Sequence, residues 1–268
     1  MKIGVFDSGM GGVATLKEII AQLPQYDFIY LGDNARAPYG DRGAEQIYEF
    51  SQQAVDYLFK QDCGLVIVAC NTVSSEALRR LQQEYLVKHY PERRILGVIV
   101  PTAESIATYN LKRIGVMGTT ATIDSCAYQR EIYKLNPEVE VYGQSCPALV
   151  PLIEADVPEE QLRAVVADYL AAVILFKPDA IVLACTHYSF LKPVMQSIVG
   201  SNTRIIDPQY LVAKSLALYL KRHPAWDKEL SKNSTRRFLT TGDAETFKHL
   251  GSRFLEENIA EVETIVLK

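Results

Sequence analysis

LVIVACNT, residues 65–72, runs five apolar or small residues into a cysteine, an asparagine and a threonine, with no charge to mark where the strand stops. The chain writes nearly the same phrase again at residues 180–187, AIVLACTH. A short apolar run without polar alternation reads as a strand buried on both faces, the signature of a parallel sheet covered by helices. The flanking sequence agrees. KIGVF, DFIYL and ILGVIV alternate with the helical-period segments GVATLKEIIAQL, AEQIYEFSQQAVDYLFKQ, SEALRRLQQEYLVK and TAESIATYNL. Strand and helix taking turns in this way predict an α/β fold.

The pattern then restarts. KIGVFDSG at 2–9 is echoed by RIGVMGTT at 113–120, and GVIVPTAESI at 97–106 by RIIDPQYLVAKSL at 204–216. Ile3 and Ile114 lie 111 residues apart, Cys70 and Cys185 115, and Pro101 and Pro208 107. Three echoes at nearly one offset predict two pseudo-symmetric domains, each a mostly parallel sheet flanked by helices, with the active site in the cleft between them. Residues 1–97 with 207–268 are expected to form the first domain, carrying Asp7 and Cys70, and residues 98–206 the second, carrying Cys185 and His187. The segment RRFLTTGDAETFKHLGSRFLEENIAEVETIVL has no partner in the repeat and is expected to pack on the first domain. No Gly/Ser-rich or Pro-rich linker separates the halves, so a tight interface is expected.

Composition narrows the function. A chain of 268 residues with 48% hydrophobic and 22% charged residues is ordinary globular material. No apolar run approaches the ~20 residues of a membrane helix, and MKIGVFDSG enters a strand at once, without the zones of a signal peptide, so the chain is placed in the cytoplasm. Five cysteines at irregular spacing form no disulfide framework and are expected as free thiols. A net charge of −4, with only short basic runs such as KRH at 221–223, argues against nucleic acid. No membrane partner is expected, and a small molecule is the expected one; a homodimer is compatible with all of this.

Cys70 and Cys185 each follow a strand and precede polar residues, at the sheet edge where ligands of α/β proteins bind. Thr72, Ser74 or Ser75 can cap a helix beside Cys70, and His187 can serve Cys185 as a local base. Cys63, Cys126 and Cys146 lack such context and read as structural. Gly9, Gly11 and Ala14 match a dinucleotide-binding pattern, with Asp33 near the expected acidic position. The Asp7 carboxylate just before them would oppose a pyrophosphate, so a smaller zwitterion with a carboxylate and an ammonium fits better. APYG at 37–40 offers a turn whose N–H groups can hold an anion, and GTTAT at 118–122 offers three hydroxyls, which can equally cap a helix. A zinc site from Cys70, Cys185 and His187 would lack the usual close ligand pairs. A thiol hydrolase would use Cys185 and His187 and leave Cys70 idle. Inversion of a carbon stereocentre uses both thiols, one as base and one as acid on opposite faces of the carbon.

IGVFDSGMGG, YLGDNARAPYG, ACNTVSS, GVIVPTAESI, GTTATI and ACTHY, in that order, resemble the cofactor-independent glutamate racemases over most of the chain. The resemblance implies Cys70 as the acid/base toward D-glutamate and Cys185 toward L-glutamate, with Asp7 and His187 assisting the respective thiols and Glu154 near the second. It implies Ser8, Tyr39, Gly40, Asn71, Thr72, Thr119, Thr122 and Thr186 as contacts for the substrate's charged groups, no cofactor and no metal. It also implies a bacterial wall-building role, since D-glutamate is a peptidoglycan precursor in that family. Ala184, Ser189 and Asn34 depart from the usual Gly, Pro and Thr of the family without removing an acid/base residue. Some members carry an N-terminal extension and need a wall-precursor activator; with Met1 six residues before Asp7, no such requirement is expected here. Aspartate racemases, with related paired thiols, and a non-catalytic amino-acid-binding protein are the rival readings.

Overall fold

The computed structural model describes residues 1–268, with ten strands in two sheets and every pairing parallel. The first sheet holds β1 (Lys2–Asp7), β2 (Phe28–Gly32), β3 (Cys63–Val68) and β4 (Arg94–Gly97); the second holds β5 (Arg113–Gly118), β6 (Glu140–Ser145), β7 (Ala180–Ala184) and β8 (Arg204–Ile206). Two more strands, β9 (Arg236–Thr240) and β10 (Glu263–Thr264), extend the first sheet beyond β2. The orders are β10-β9-β2-β1-β3-β4 and β6-β5-β7-β8. Stripped of β9 and β10, the two sheets therefore have one topology. In each, the first strand lies between the second and third, so the chain leaves it in opposite directions and opens a crevice at its carboxyl end. Asp7, Ser8 and Cys70 lie at that end of the first sheet, and Thr119 and Cys185 at that end of the second.

The fully buried strands are those the apolar runs predict, β2, β3 and β7. One apolar core runs from Val5 and Ile67 to Val116 and Val182 and so joins the two sheets. Helix Val13–Gln22 packs against helix Pro208–Arg222 within it. The opposite face of the first sheet, with Phe6, Leu31 and Val68, packs under helix Ala44–Lys60 in a second cluster. No helix is long and apolar enough to cross a membrane.

Two local readings change. ILGVIV reads as a strand throughout, yet β4 stops at Gly97 and helix Ile99–Thr108 begins at once. Pro101 lies in the first turn of that helix, where a missing N–H removes no helical hydrogen bond. The helix after Cys70 starts at Asn71, earlier than the hydroxyl residues suggest, with Cys70 itself at the N-cap. Thr72, Ser74 and Ser75 lie inside that helix, and Ser74 and Ser75 donate to the carbonyls of Val68 and Thr72.

Asp27, at the start of β2, holds the returning C-terminal segment. Its carboxylate accepts from the N–H and side-chain amide of Asn233 and from the N–H and hydroxyl of Thr235, all at 2.8–3.1 Å. Burial acts to raise its pKa, but these bonds and one from Ser231 outweigh it and hold the carboxyl well below its ordinary range. Beyond this clamp, β9 pairs with β2 and brings residues 241–247 to the mouth of the crevice.

Candidate active site

Between the carboxyl ends of the two sheets lies a cavity of about 470 Å³, the size of a small-molecule site. Cys70 and Cys185 both line it, one from each sheet, and both are buried. Ser8, Tyr39, Gly40, Asn71, Thr72, Thr119, Glu154, Thr186 and His187 line it too. The lining contains no lysine or arginine, so a carboxylate there would be met by hydroxyl, amide and backbone N–H donors.

The glycine-rich turn shapes the cavity floor. A Cβ on Gly11 would come within 2.5 Å of His187 Nδ1 and 2.6 Å of Thr186 Oγ1. The turn lies against the second half of the chain, and only a glycine fits that contact. This accounts for Gly11 in the pattern that imitates a dinucleotide motif. The APYG turn makes the same kind of contact, since a Cβ on Gly40 would reach Thr119 Cβ at 2.7 Å and Gly40 O accepts from Ala121 N at 3.1 Å.

Cys70 Sγ lies 3.3 Å from Ser8 Oγ. Burial, then the nearby Asp7 charge, push its thiol up to about 12, against opposing hydrogen bonds from the Ser8 side chain and the N–H groups of Val73 and Ser8. Cys70 is thus a thiol at neutral pH. Cys185 Sγ lies 3.9 Å from His187 Nδ1, and His187 Nε2 lies 2.8 Å from Glu154 Oε1. Burial opposes charge on the imidazole, but Cys185 and Glu154 together lift its pKa to about 10. The ring meets Phe254 edge-on at 5.4 Å, so the C-terminal helix Ala244–Leu255 closes over it.

Asp7 is buried behind the lining, and burial raises its pKa while His187 and the N–H groups of Gly9 and Gly12 pull it back. Its Oδ1 accepts from Gly9 N at 2.9 Å, and its Oδ2 accepts from Thr186 Oγ1 at 3.3 Å. One carboxylate therefore touches both walls, beside the Cys70 thiol and bonded to the residue after Cys185. Thr122 also lies outside the lining. Its hydroxyl is 3.0 Å from that of Thr119 and 3.4 Å from that of Thr72, which are themselves 2.9 Å apart. Thr119 additionally caps the following helix by accepting from Thr122 N. Tyr39 donates its hydroxyl to the buried Asp33, so its ring and backbone, not its hydroxyl, are left for the cavity. Cys63 and Cys146 are buried, whereas Cys126 is exposed and forms no part of the core.

Sequence reasoning missed Met10, Val150 and Pro151 in the lining, and also Gly242, Asp243, Thr246 and Phe247 from the C-terminal segment. Asn34, noted only as a departure, lines the cavity, with its Oδ1 accepting from Thr240 Oγ1 at 3.0 Å. Ala184 lies under the second wall, where its Cβ would be 3.4 Å from a Cβ placed on Gly118.

The sequence pattern of the Asp/Glu/Hydantoin racemases matches residues 3–216. Over 264 residues the chain is 38% identical to a glutamate racemase of Phenylobacterium zucineum, covering 91% of this chain and 93% of that one. It is 34% identical to a glutamate racemase of Streptococcus agalactiae, covering 99% and 98%. The crystal structure of glutamate racemase from Francisella tularensis in complex with D-glutamate superposes with a TM-score of 0.89 at 33% identity, covering all of this chain and 98% of that one.

Proposed function

The chain belongs to the Asp/Glu/Hydantoin racemase family, and from that premise we propose that it is a glutamate racemase, interconverting L- and D-glutamate by proton transfer between two cysteines without a cofactor. The observation that carries the reading is the pair of buried thiols lining one cavity from equivalent strand ends of two sheets. Residues 1–97 with 207–268, and 98–206, are taken as the two units that bring those walls together. Its product would supply D-glutamate for peptidoglycan in the cytoplasm of a bacterium.

The electrostatics suggest a resting state. Cys70, pushed up to about 12, is the acid. Cys185, whose Sγ lies 3.9 Å from Nδ1 of a His187 that is itself held by Glu154, takes the role of base. Bound L-glutamate gives its α-proton to Cys185, and Cys70 delivers a proton to the opposite face. The enzyme is left with the protonation states of its two sulfurs exchanged, ready for D-glutamate. Asn71, Thr72, Thr119 and Thr186 hold the charged groups, with Ser8, Tyr39 and Gly40 on the first wall. Of the three linked hydroxyls of Thr72, Thr119 and Thr122, one turns outward as a donor when a carboxylate enters.

The test is to incubate the protein with L-glutamate or L-aspartate without added cofactor and follow optical rotation, then repeat in deuterium oxide. Glutamate alone should lose its rotation, and the newly formed enantiomer should carry deuterium at the α-carbon from the first turnovers, because its proton comes from a solvent-exchanged cysteine. Early product without label would sink the two-base scheme; turnover of aspartate instead would move the chain to the other substrate.

His187 also sets a pH dependence. Its folded-state pKa, about 10, lies above the ordinary 6.5. The stability from its partners is therefore full below pH ~6.5 and is lost as pH rises through about 10. If the imidazolium holds the Cys185 thiolate, kcat/KM falls over the same alkaline range. His187→Asn should remove that limb of the profile; an unchanged limb in the variant would assign it to another group.

A further inference from the structure

We propose that Tyr128 is a positioning residue of the active site, fixing the Asn71 side chain so that its NH2 group, and not its carbonyl, faces a carboxylate of the bound amino acid. This rests on the racemase reading above and adds a residue to it. Tyr128 lies on helix Ala127–Leu135, outside the cavity lining and buried. Its hydroxyl donates to Asn71 Oδ1 at 2.6 Å across the boundary between the two halves. Asn71 is buried as well, lines the cavity and directly follows Cys70.

An amide has one accepting end and one donating end. With Oδ1 held by a phenol, the donating end is the one left for a ligand, and donors are what a carboxylate needs in a cavity without lysine or arginine. Burial raises the phenol's pKa, so it stays a donor throughout the working pH range. The second wall has a comparable support. Gln209, buried on helix Pro208–Arg222, donates its Nε2 to the carbonyl of Thr186 at 3.0 Å. The residue after each cysteine is thus held from behind by a buried side chain. Asn71 differs in being held through the group that would meet the substrate, so losing its anchor alters recognition as well as packing.

The experiment is a kinetic cycle with Tyr128→Phe, Asn71→Ala and the double variant, measured with both enantiomers of glutamate and with thermal melting as the check of folding. Tyr128→Phe should raise KM about tenfold in both directions with a smaller change in kcat, the scale of one hydrogen bond to a charged group. Asn71→Ala should do the same, and the double variant should be no worse than the poorer single one. Asn71→Asp keeps an oxygen for Tyr128 but sets a carboxylate against the substrate's, and should raise KM at least as much. A purely structural Tyr128 would lower the melting temperature and leave KM unchanged, or would add to Asn71→Ala in the double variant. Either result overturns the proposal, as does an Asn71→Asp variant with an unchanged KM. A wild-type protein that does not racemise glutamate overturns the function proposed above, whereas a racemase whose KM ignores Tyr128 overturns only this step.

Discussion

Cys70→Ser and Cys185→Ser are each expected to reduce glutamate racemisation at least ~10³-fold while the protein stays folded, within the range for removing a general acid or base. Size does not produce the loss, since a hydroxyl is slightly smaller than a thiol and both side chains border the cavity. Acidity does. A serine hydroxyl is so weak an acid that neither the anion for abstraction nor a matched donor for return forms at neutral pH. The environment adds to this at Cys70, where burial and the Asp7 charge already resist an anion on sulfur and would resist one on oxygen more. The variants should differ in what they retain. With Cys185 intact, Cys70→Ser keeps a base on the face of L-glutamate, so slow exchange of its α-proton with solvent should outlast racemisation; Cys185→Ser should favour exchange from D-glutamate. Circular dichroism and thermal melting secure the fold. A folded variant that racemises near the wild-type rate would demote that cysteine to a structural thiol.

The architecture is legible in the sequence because its signal is local. β1 and β5 are the hexamers KIGVFD and RIGVMG, and each cysteine follows its apolar strand by no more than two residues, so period and apolar runs are enough to find two parallel sheets. The repeat predicts the second sheet from the first, and the common strand order follows from it. The rest of the cavity is set by contacts that leave no local trace. Gly242, Asp243, Thr246 and Phe247 reach the site only because β9 pairs with β2 across about 200 residues of chain, under the clamp of Asp27. Tyr128 sits in an ordinary amphipathic helix, and nothing in its own segment points to Asn71. The glycines of GMGG are visible as a motif, but what demands them is not: Gly11 makes room for His187 of the other half, and Gly12 for Asp7. A motif fixes where the backbone must come close; it does not say to what.

His187→Asn is expected to slow the direction that starts from L-glutamate by ~10²- to 10⁴-fold at the proton-abstraction step, and Asp7→Asn to slow the one that starts from D-glutamate, with the weaker asymmetry. The reason for the difference is geometric. His187 serves one wall, with Nδ1 at 3.9 Å from Cys185 Sγ and Nε2 held by Glu154. Asp7 stands beside the Cys70 thiol but also accepts from Thr186 Oγ1 and feels the charge of His187, so its loss disturbs both walls. Enantiomers in water have equal free energy, so kcat/KM remains equal in the two directions for every variant. The asymmetry therefore appears in kcat, in KM taken separately, and in the primary isotope effects. With α-deuterated L-glutamate the isotope effect of His187→Asn should rise above that of the wild type, because abstraction by Cys185 becomes the slow step; with α-deuterated D-glutamate it should fall. Asp7→Asn should show the opposite order over a narrower range. Equal isotope effects in both directions for His187→Asn would mean that the imidazole serves neither thiol in particular, and the assignment of Cys185 and His187 as one acid/base unit would fail.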